Sequence, residues 1–462
     1  MIITKKQIIN ESKFSNPKQI NISNKLIFLL DAFILFIASI IVFGLKDDLK
    51  LLPLIGRVMI VITIYMLFKF KGNKKLLFLF AILGFINISI GVSDLINNGA
   101  YVANWQLSLR HSEYNIVTAK SILLFMSVLN MMLGYSWLKN RAVNILSNDI
   151  QILNNPIISY VGTAALFIIL LTGYSSELLT SSGEYVSNNN PIYEYAIVIY
   201  VVVWFFSGSS KIIKILLFTY SGVYSLYSLY FGDRSAAFLM LLLLFVLNFE
   251  RKISVIKLFV LSVSAIFLAN FIAIIRSGID MDLSTIITNA QERGLYSDTV
   301  SYSYYTGITV TALHYIDHES LTYFLGYLKS LFLGTNSSEY GSLANYVSDN
   351  YGRLFNRGGG LFFTSFYAWF GYIGIISGAV LLGCIIRMVF SKSGKISNLY
   401  QILIVAFSVR WYLYNPTVLF RSVFVIATLV IILCLIFDTV IKKEKTRKKL
   451  DITNSAISKI RY

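Results

Sequence analysis

Apolar stretches long enough to cross a bilayer recur along almost the whole chain. At roughly 17 to 25 residues per span, about twelve can be drawn: 26–45, 51–68, 76–96, 117–138, 157–174, 192–209, 212–231, 235–249, 257–275, 361–386, 399–415 and 419–440. The weakest pair is 212–231, which carries several polar residues, and 235–249, which is short. The expected fold class is all-α, a polytopic helical membrane protein. Composition agrees, since 14% of residues are charged against roughly 25% in a soluble domain.

A formal net charge of +17 would suggest nucleic acid in a soluble protein, so its placement matters. Basic residues gather at Lys5–Lys25, Lys69–Lys75, Lys139–Arg141, Lys211–Lys214, Arg251–Lys257, Arg387–Lys395 and Lys442–Arg461. Each cluster follows an even number of spans, which collects about 27 of the 40 lysines and arginines on one side. The charge is therefore a topology signal, no nucleic-acid partner is expected, and both termini are placed in the cytoplasm of a bacterial inner or plasma membrane. The polar first 24 residues and the long first apolar run argue against a cleaved leader. Cys384 and Cys434 fall inside spans, so no disulfide framework or CxxC motif is expected. The expected organisation is a tail over 1–25, nine spans over 26–275, a large outer loop over 276–360, three spans over 361–440 and a basic tail over 441–462.

This topology places Asp233, Arg234, Arg276, Arg410 and Arg421 at outer membrane boundaries. Charged groups there are costly and usually face a protein interior or a water-filled cavity. A single arginine at a helix end can instead snorkel to the headgroups. Four guanidinium forks on one face suit a phosphate or pyrophosphate, because each can donate two parallel hydrogen bonds to anionic oxygens. Asp233 is either a base or a partner that orients Arg234.

The outer loop carries ten tyrosines from Tyr296 to Tyr351, with asparagines, serines and threonines among them. Aromatic faces beside hydrogen-bonding groups suit sugar rings, and an interfacial aromatic belt is the alternative. Residues 283–293 read as a short helix, and 320–333 as an apolar segment too short to span that lies on or dips into the leaflet. TALHYIDHES sets His314, Asp317 and His318 within one helical turn. A zinc site needs a third or fourth ligand and none is indicated, so neither metal nor cofactor is expected. Either histidine can serve as a general base towards a sugar hydroxyl; ordinary loop histidines are the alternative. At the end of the loop, Gly358, Gly359 and Gly360 permit close approach of a ligand, while Gly371 and Gly374 in FGxxG permit close helix packing.

With these motifs the chain resembles the Wzy-type repeat-unit polymerases of O-antigens, capsules and other bacterial surface polysaccharides. The resemblance rests on Gly358, Gly359, Gly360, Tyr367, Phe370, Gly371 and Gly374, on Gly232 with Arg234, and on Arg410 and Arg421 around a final hairpin. It spans the layout from about residue 20 to 440. Where such polymerases often carry an acid two positions before the tyrosine, this chain has Ser365. The resemblance implies a GT-C-like, metal-independent glycosyltransferase that joins polyprenyl (undecaprenyl) pyrophosphate-linked oligosaccharides on the outer leaflet, with a Wzz-like chain-length regulator as a further partner. Arg234, Arg276, Arg410 and Arg421 would then hold pyrophosphate, and His314, His318 or Asp233 would deprotonate the acceptor. An O-antigen ligase, a flippase or transporter, and a non-catalytic assembly component are the alternatives.

Overall fold

The computed structural model describes residues 17–97, 107–134, 155–172, 191–208, 210–230, 234–249, 297–317, 319–334, 337–351, 359–392 and 394–460. Among them the regular structure is entirely helical: α1 (Pro17–Ser39), α2 (Leu52–Phe70), α3 (Lys74–Ser89), α4 (Leu107–Arg110), α5 (Glu113–Met132), α6 (Pro156–Thr172), α7 (Pro191–Phe206), α8 (Lys211–Tyr230), α9 (Arg234–Phe249), α10 (Asp298–Ile316), α11 (Ser320–Leu333), α12 (Leu343–Asn350), α13 (Phe362–Phe390), α14 (Lys395–Ala406), α15 (Ser408–Leu413) and α16 (Ala427–Ile460). Short 3-10 turns precede α2 and α12. Three stretches widen into π-helix: Ile40–Gly44 after α1, Ile90–Ile96 after α3 and Val418–Ile426 before α16.

Six helical runs among the described residues are long and apolar enough to cross a membrane: Lys25–Gly44, Leu49–Phe70, Lys74–Ile96, Glu113–Met132, Phe362–Phe390 and Val418–Glu444. Pro156–Thr172, Tyr195–Phe206 and Ala236–Leu247 are apolar but shorter. Span 257–275 and the short helix expected at 283–293 lie outside the described residues. The span expected at 399–415 is two helices, α14 and α15, separated at Phe407. At that break the Trp411 indole donates to the Ile404 carbonyl at 3.0 Å, which satisfies an acceptor at the end of α14. Neither tail boundary is a helix boundary, because α1 begins at Pro17 and α16 continues to Ile460.

The bundle is arranged from the inside out. Every residue of α5 from Asn115 to Asn130 is buried, and α13 packs along it. By contrast α1 turns Phe28, Leu29 and Phe36 outward, and the last helix does the same with Leu433 and Phe437. An apolar exterior of this extent is what hydrocarbon solvates and what water would drive to associate.

The loop helix α10 packs against both α5 and α13 rather than standing outside the bundle. Its Ser301, Ser303, Tyr304, Tyr305, Ile308 and Thr311 are buried. Small residues make this possible, since a Cβ on Gly307 would lie 3.1 Å from the Thr364 methyl. Thr311 then bonds Thr118 of α5 at 3.0 Å, and Ser301 donates to Asp94 at 2.8 Å.

Near the C-terminal ends of α2 and α5, Lys69 donates to the Asp31 carboxylate (2.8 Å) and to the main-chain and side-chain oxygens of Asn130 (2.8 and 2.9 Å). Asn130 and Tyr65 complete the carboxylate's partners at 3.0 and 2.9 Å. Beside this network Lys75 bonds Asn398 and Gln401 at 3.1 and 3.0 Å. This is the lysine end of the bundle. The opposite end is formed by the chain after α1 and α3, by the start of α5 and by the kink of α13 at Phe370–Gly371.

Candidate functional site

His314 and Tyr367 gather at a break in α13, while Gly359, Gly360, Arg410 and Arg421 gather about the final hairpin. At that break Phe370 (φ −142°, ψ 21°) and Gly371 (φ 59°, ψ −143°) leave helical conformation. The positive φ suits glycine alone among common residues. A Cβ on Gly374 would lie 1.9 Å from the Phe366 carbonyl oxygen, so this glycine accommodates α13 folding upon itself. FGxxG was expected to serve packing between helices, and here it makes a kink.

His314, in the last turn of α10, uses that kink. Its Nδ1 lies 3.3 Å from the Ala368 carbonyl, and Ser320 Oγ lies 3.4 Å from Nδ1 and donates to the same carbonyl at 3.2 Å. In the tautomer whose Nδ1–H donates to Ala368, the lone pair lies on Nε2, the arrangement a general base uses. Nε2 faces Gly371, 3.1 Å from where a Cβ would be. The ring meets Tyr315 and Tyr367 edge to face at 5.5 and 5.4 Å, and those two hydroxyls share a 2.5 Å hydrogen bond. Tyr367 is buried while Tyr315 is partly exposed, so the pair links the bundle interior to its surface.

Asp317 does not join His314. It lies just past the end of α10 and accepts hydrogen bonds from the Tyr323 and Tyr351 hydroxyls. Both carboxylate oxygens are thereby occupied, and Asp317 ties the start of α11 to the end of α12. Burial first, and the Asp317 contact second, raise both phenols above the ordinary value of 10.0. Tyr340 is pushed up to about 12 by its hydrogen bond to Glu339 and by burial. Tyr323, Tyr340, Tyr346 and Tyr351 form a chain of ring contacts at 5.0 to 6.4 Å. Four of the loop tyrosines are thus a structural cluster around one carboxylate.

The final hairpin brings the glycines and arginines together. Gly359 (φ 56°) packs on Tyr414, whose Cα lies 2.4 Å from the position of a Gly359 Cβ. Only a residue without a side chain allows that approach. The Arg410 guanidinium stacks over the Tyr414 ring, 5.7 Å from its centroid, a cation–π arrangement. Asn415 caps the following turn, accepting from Thr417 N at 2.9 Å, and both side chains reach the Gly341 carbonyl at 3.4 Å. Arg421 lies in the π-helical stretch, which tends to mark functional positions in helices. Its Nη1 makes a long 3.4 Å contact to the Ser330 carbonyl of α11, and its buried Nε has no hydrogen-bond partner among the described residues. A guanidinium so sparsely bonded retains donors for an anion.

Asp233, Arg276, His318 and Gly358 lie outside the described residues, and Arg234 opens α9 without a described side chain. Among the described residues no three His, Cys, Asp or Glu side chains gather as a metal site.

Two charged groups at the end opposite Lys69 escaped the motif reading. Asp94, 1% exposed, receives Ser301 on one oxygen, and its other oxygen has no partner among the described residues. Lys120 is buried and donates to Asp47 at 2.6 Å and to the Leu45 carbonyl at 2.7 Å. Both Asp94 and Lys120 fall inside expected spans, and an isolated charge within an apolar run was the signal available. Compared with protein-family models, curated proteins and solved structures, the chain matches none.

Proposed function

We propose that this protein polymerises polyprenyl-pyrophosphate-linked oligosaccharide repeat units in a bacterial inner or plasma membrane, on the outer leaflet, with both termini cytoplasmic. The observations that carry the reading are a histidine seated on the α13 kink beside a tyrosine pair and, at the final hairpin, a glycine junction with two arginines flanking one turn, one of them with an unbonded buried Nε among the described residues. His314 Nε2 takes the proton of an acceptor hydroxyl on the incoming unit. The hydroxyl oxygen bonds to the anomeric carbon of the growing glycan as the bond from that carbon to pyrophosphate breaks. Arg410 and Arg421, joined by Arg234 and Arg276, offset the charge on the departing polyprenyl pyrophosphate. Guanidinium groups supply the electrostatics that a divalent cation would otherwise provide, so the reaction proceeds without metal.

Purified protein in nanodiscs, given lipid-linked repeat units and EDTA, is expected to yield a ladder of lipid-linked products rising by whole units. Transfer only to a separate lipid A-core acceptor would make the protein a ligase. Movement of intact units across the bilayer without a covalent product would make it a flippase. A ladder abolished by EDTA and restored by magnesium would overturn the metal-free mechanism.

A further inference from the structure

The connection between α1 and α2 brings an acidic residue to the site end that neither the arginines nor His314 account for. Asp47 receives the Lys120 ammonium on Oδ1 at 2.6 Å, and that ammonium also donates to the Leu45 carbonyl at 2.7 Å. The pair is asymmetric: the lysine side chain is 2% exposed and the aspartate side chain 51%. A buried ammonium is costly and is tolerated when its partner is fixed, and here the partner is a carboxylate held half out of the protein. Oδ2 accepts nothing from the described residues.

The surroundings of that carboxylate are aromatic. Phe43, four residues earlier, meets Tyr372 edge to face at 5.4 Å, and Tyr372 meets Tyr367 at 5.2 Å. Tyr367 in turn meets Tyr315 at 6.2 Å. Tyr315 continues the wall to Tyr114 at 5.6 Å. A fixed carboxylate accepts O–H donors at short, charge-assisted distances. Aromatic faces beside it cover the C–H face of a pyranose ring while their hydroxyls bond its edge.

We propose that Asp47, seated by Lys120, is the hydroxyl-binding carboxylate of a saccharide subsite walled by Tyr315 and Tyr372 and backed by the buried Tyr367. This deepens the polymerase reading and rests on it for the source of the sugar. Tyr315 borders both this subsite and His314, and the subsite is assigned to the acceptor unit whose hydroxyl His314 deprotonates. Asp47 is a binding residue and Lys120 its positioning residue.

The test uses full-length protein in nanodiscs and, as probe, the repeat-unit oligosaccharide released by mild acid from its lipid-linked precursor. Saturation-transfer NMR compares wild type, Asp47→Asn and the double variant Asp47→Asn/Lys120→Met. The single variant leaves a buried ammonium poorly paired and can perturb the fold, whereas the double variant removes both charges together. Both variants are expected to raise Kd roughly 10- to 100-fold, the range of one lost charged hydrogen bond. Wild-type affinity in the double variant would reduce the pair to a structural tie and overturn the proposal, as would wild-type protein that binds no oligosaccharide. The polymerisation ladder is read separately. A ladder whose KM is unmoved in the double variant defeats the subsite and leaves the polymerase standing, while Asp47-dependent binding without any wild-type ladder does the reverse.

Discussion

Lys69 and Lys120 are both buried lysines paired with an aspartate, at 2.8 and 2.6 Å. At the lysine end, Asp31 is as buried as its partner, and Lys69 spends its three N–H donors on Asp31 and both oxygens of Asn130. No capacity is left for anything else. At the opposite end Asp47 is half exposed, Asp94 keeps an oxygen without a partner among the described residues, and Arg421 keeps a buried Nε in the same condition. Buried polar groups in a membrane bundle are stable when every donor and acceptor is matched. Unmatched capacity persists at a site meant to receive a ligand. The two ends therefore differ in how much hydrogen-bonding capacity their charged groups leave over.

The largest effect expected is on chemistry at the open end. His314→Ala should lower the polymerisation rate by roughly 10²- to 10⁴-fold, as loss of a general base does, with thermal unfolding in detergent near that of wild type. Full activity in this variant would move the base to His318 or Asp233.

At the closed end the effect should fall on stability instead. Asp31→Ala leaves the Lys69 ammonium without its carboxylate and should destabilise by about 3–5 kcal/mol, read as a lowered melting temperature. The double change Asp31→Leu/Lys69→Met should recover most of the loss. Activity per folded molecule should be unaltered in both, and a selective loss of catalysis would erase the distinction between the ends.

A smaller change distinguishes charge from geometry at Arg421. Lys keeps the cation and gives up the planar fork, so Arg421→Lys should lose activity equivalent to about 1.5–3 kcal/mol. Chain-length distributions matching wild type at equal expression would return Arg421 to a role in holding α11. Arg234→Lys should behave alike.

The smallest effect is a pH dependence confined to the loop. Tyr323 and Tyr351 have folded values raised above 10.0, so the folded state favours their protonated forms. Their contribution is fully present below pH 10 and is lost as pH rises towards the folded values. Hydrogen exchange in α11 and α12 should accelerate above about pH 10 before exchange in α5 does. Asp317→Asn should weaken the same tie at neutral pH. Simultaneous exchange in loop and core would show that the tyrosine cluster belongs to the bundle's main cooperative unit.

Much of the helical layout was legible because its signal is local. Spans over 51–68, 76–96 and 361–386 appear as α2, α3 with its π extension, and α13, since a run of apolar residues of one length has few alternatives in a bilayer. The segment 320–333, read as apolar and too short to span, is the helix α11. Less legible was the partnership of Asp317, which sequence spacing placed on a turn with His314. Its partners come instead from residues six and thirty-four positions away. Nor did the many tyrosines announce their division into a cluster around Asp317 and a wall around Asp47, because aromatic composition carries no address.

From sequence alone came the bundle of apolar helices, the clustering of basic residues and the candidacy of His314, the glycine junction and the hairpin arginines, all consequences of residue type and near-neighbour spacing. Tertiary structure decided which of these meet. It set the kink at Gly371 beneath His314, seated Gly359 on Tyr414, laid Arg421 under α11, and sank Lys120 below Asp47. The physical reason is that hydrophobic burial selects helices from local pattern, whereas hydrogen bonds and ion pairs between distant segments depend on ångström-scale packing that no short window of sequence encodes.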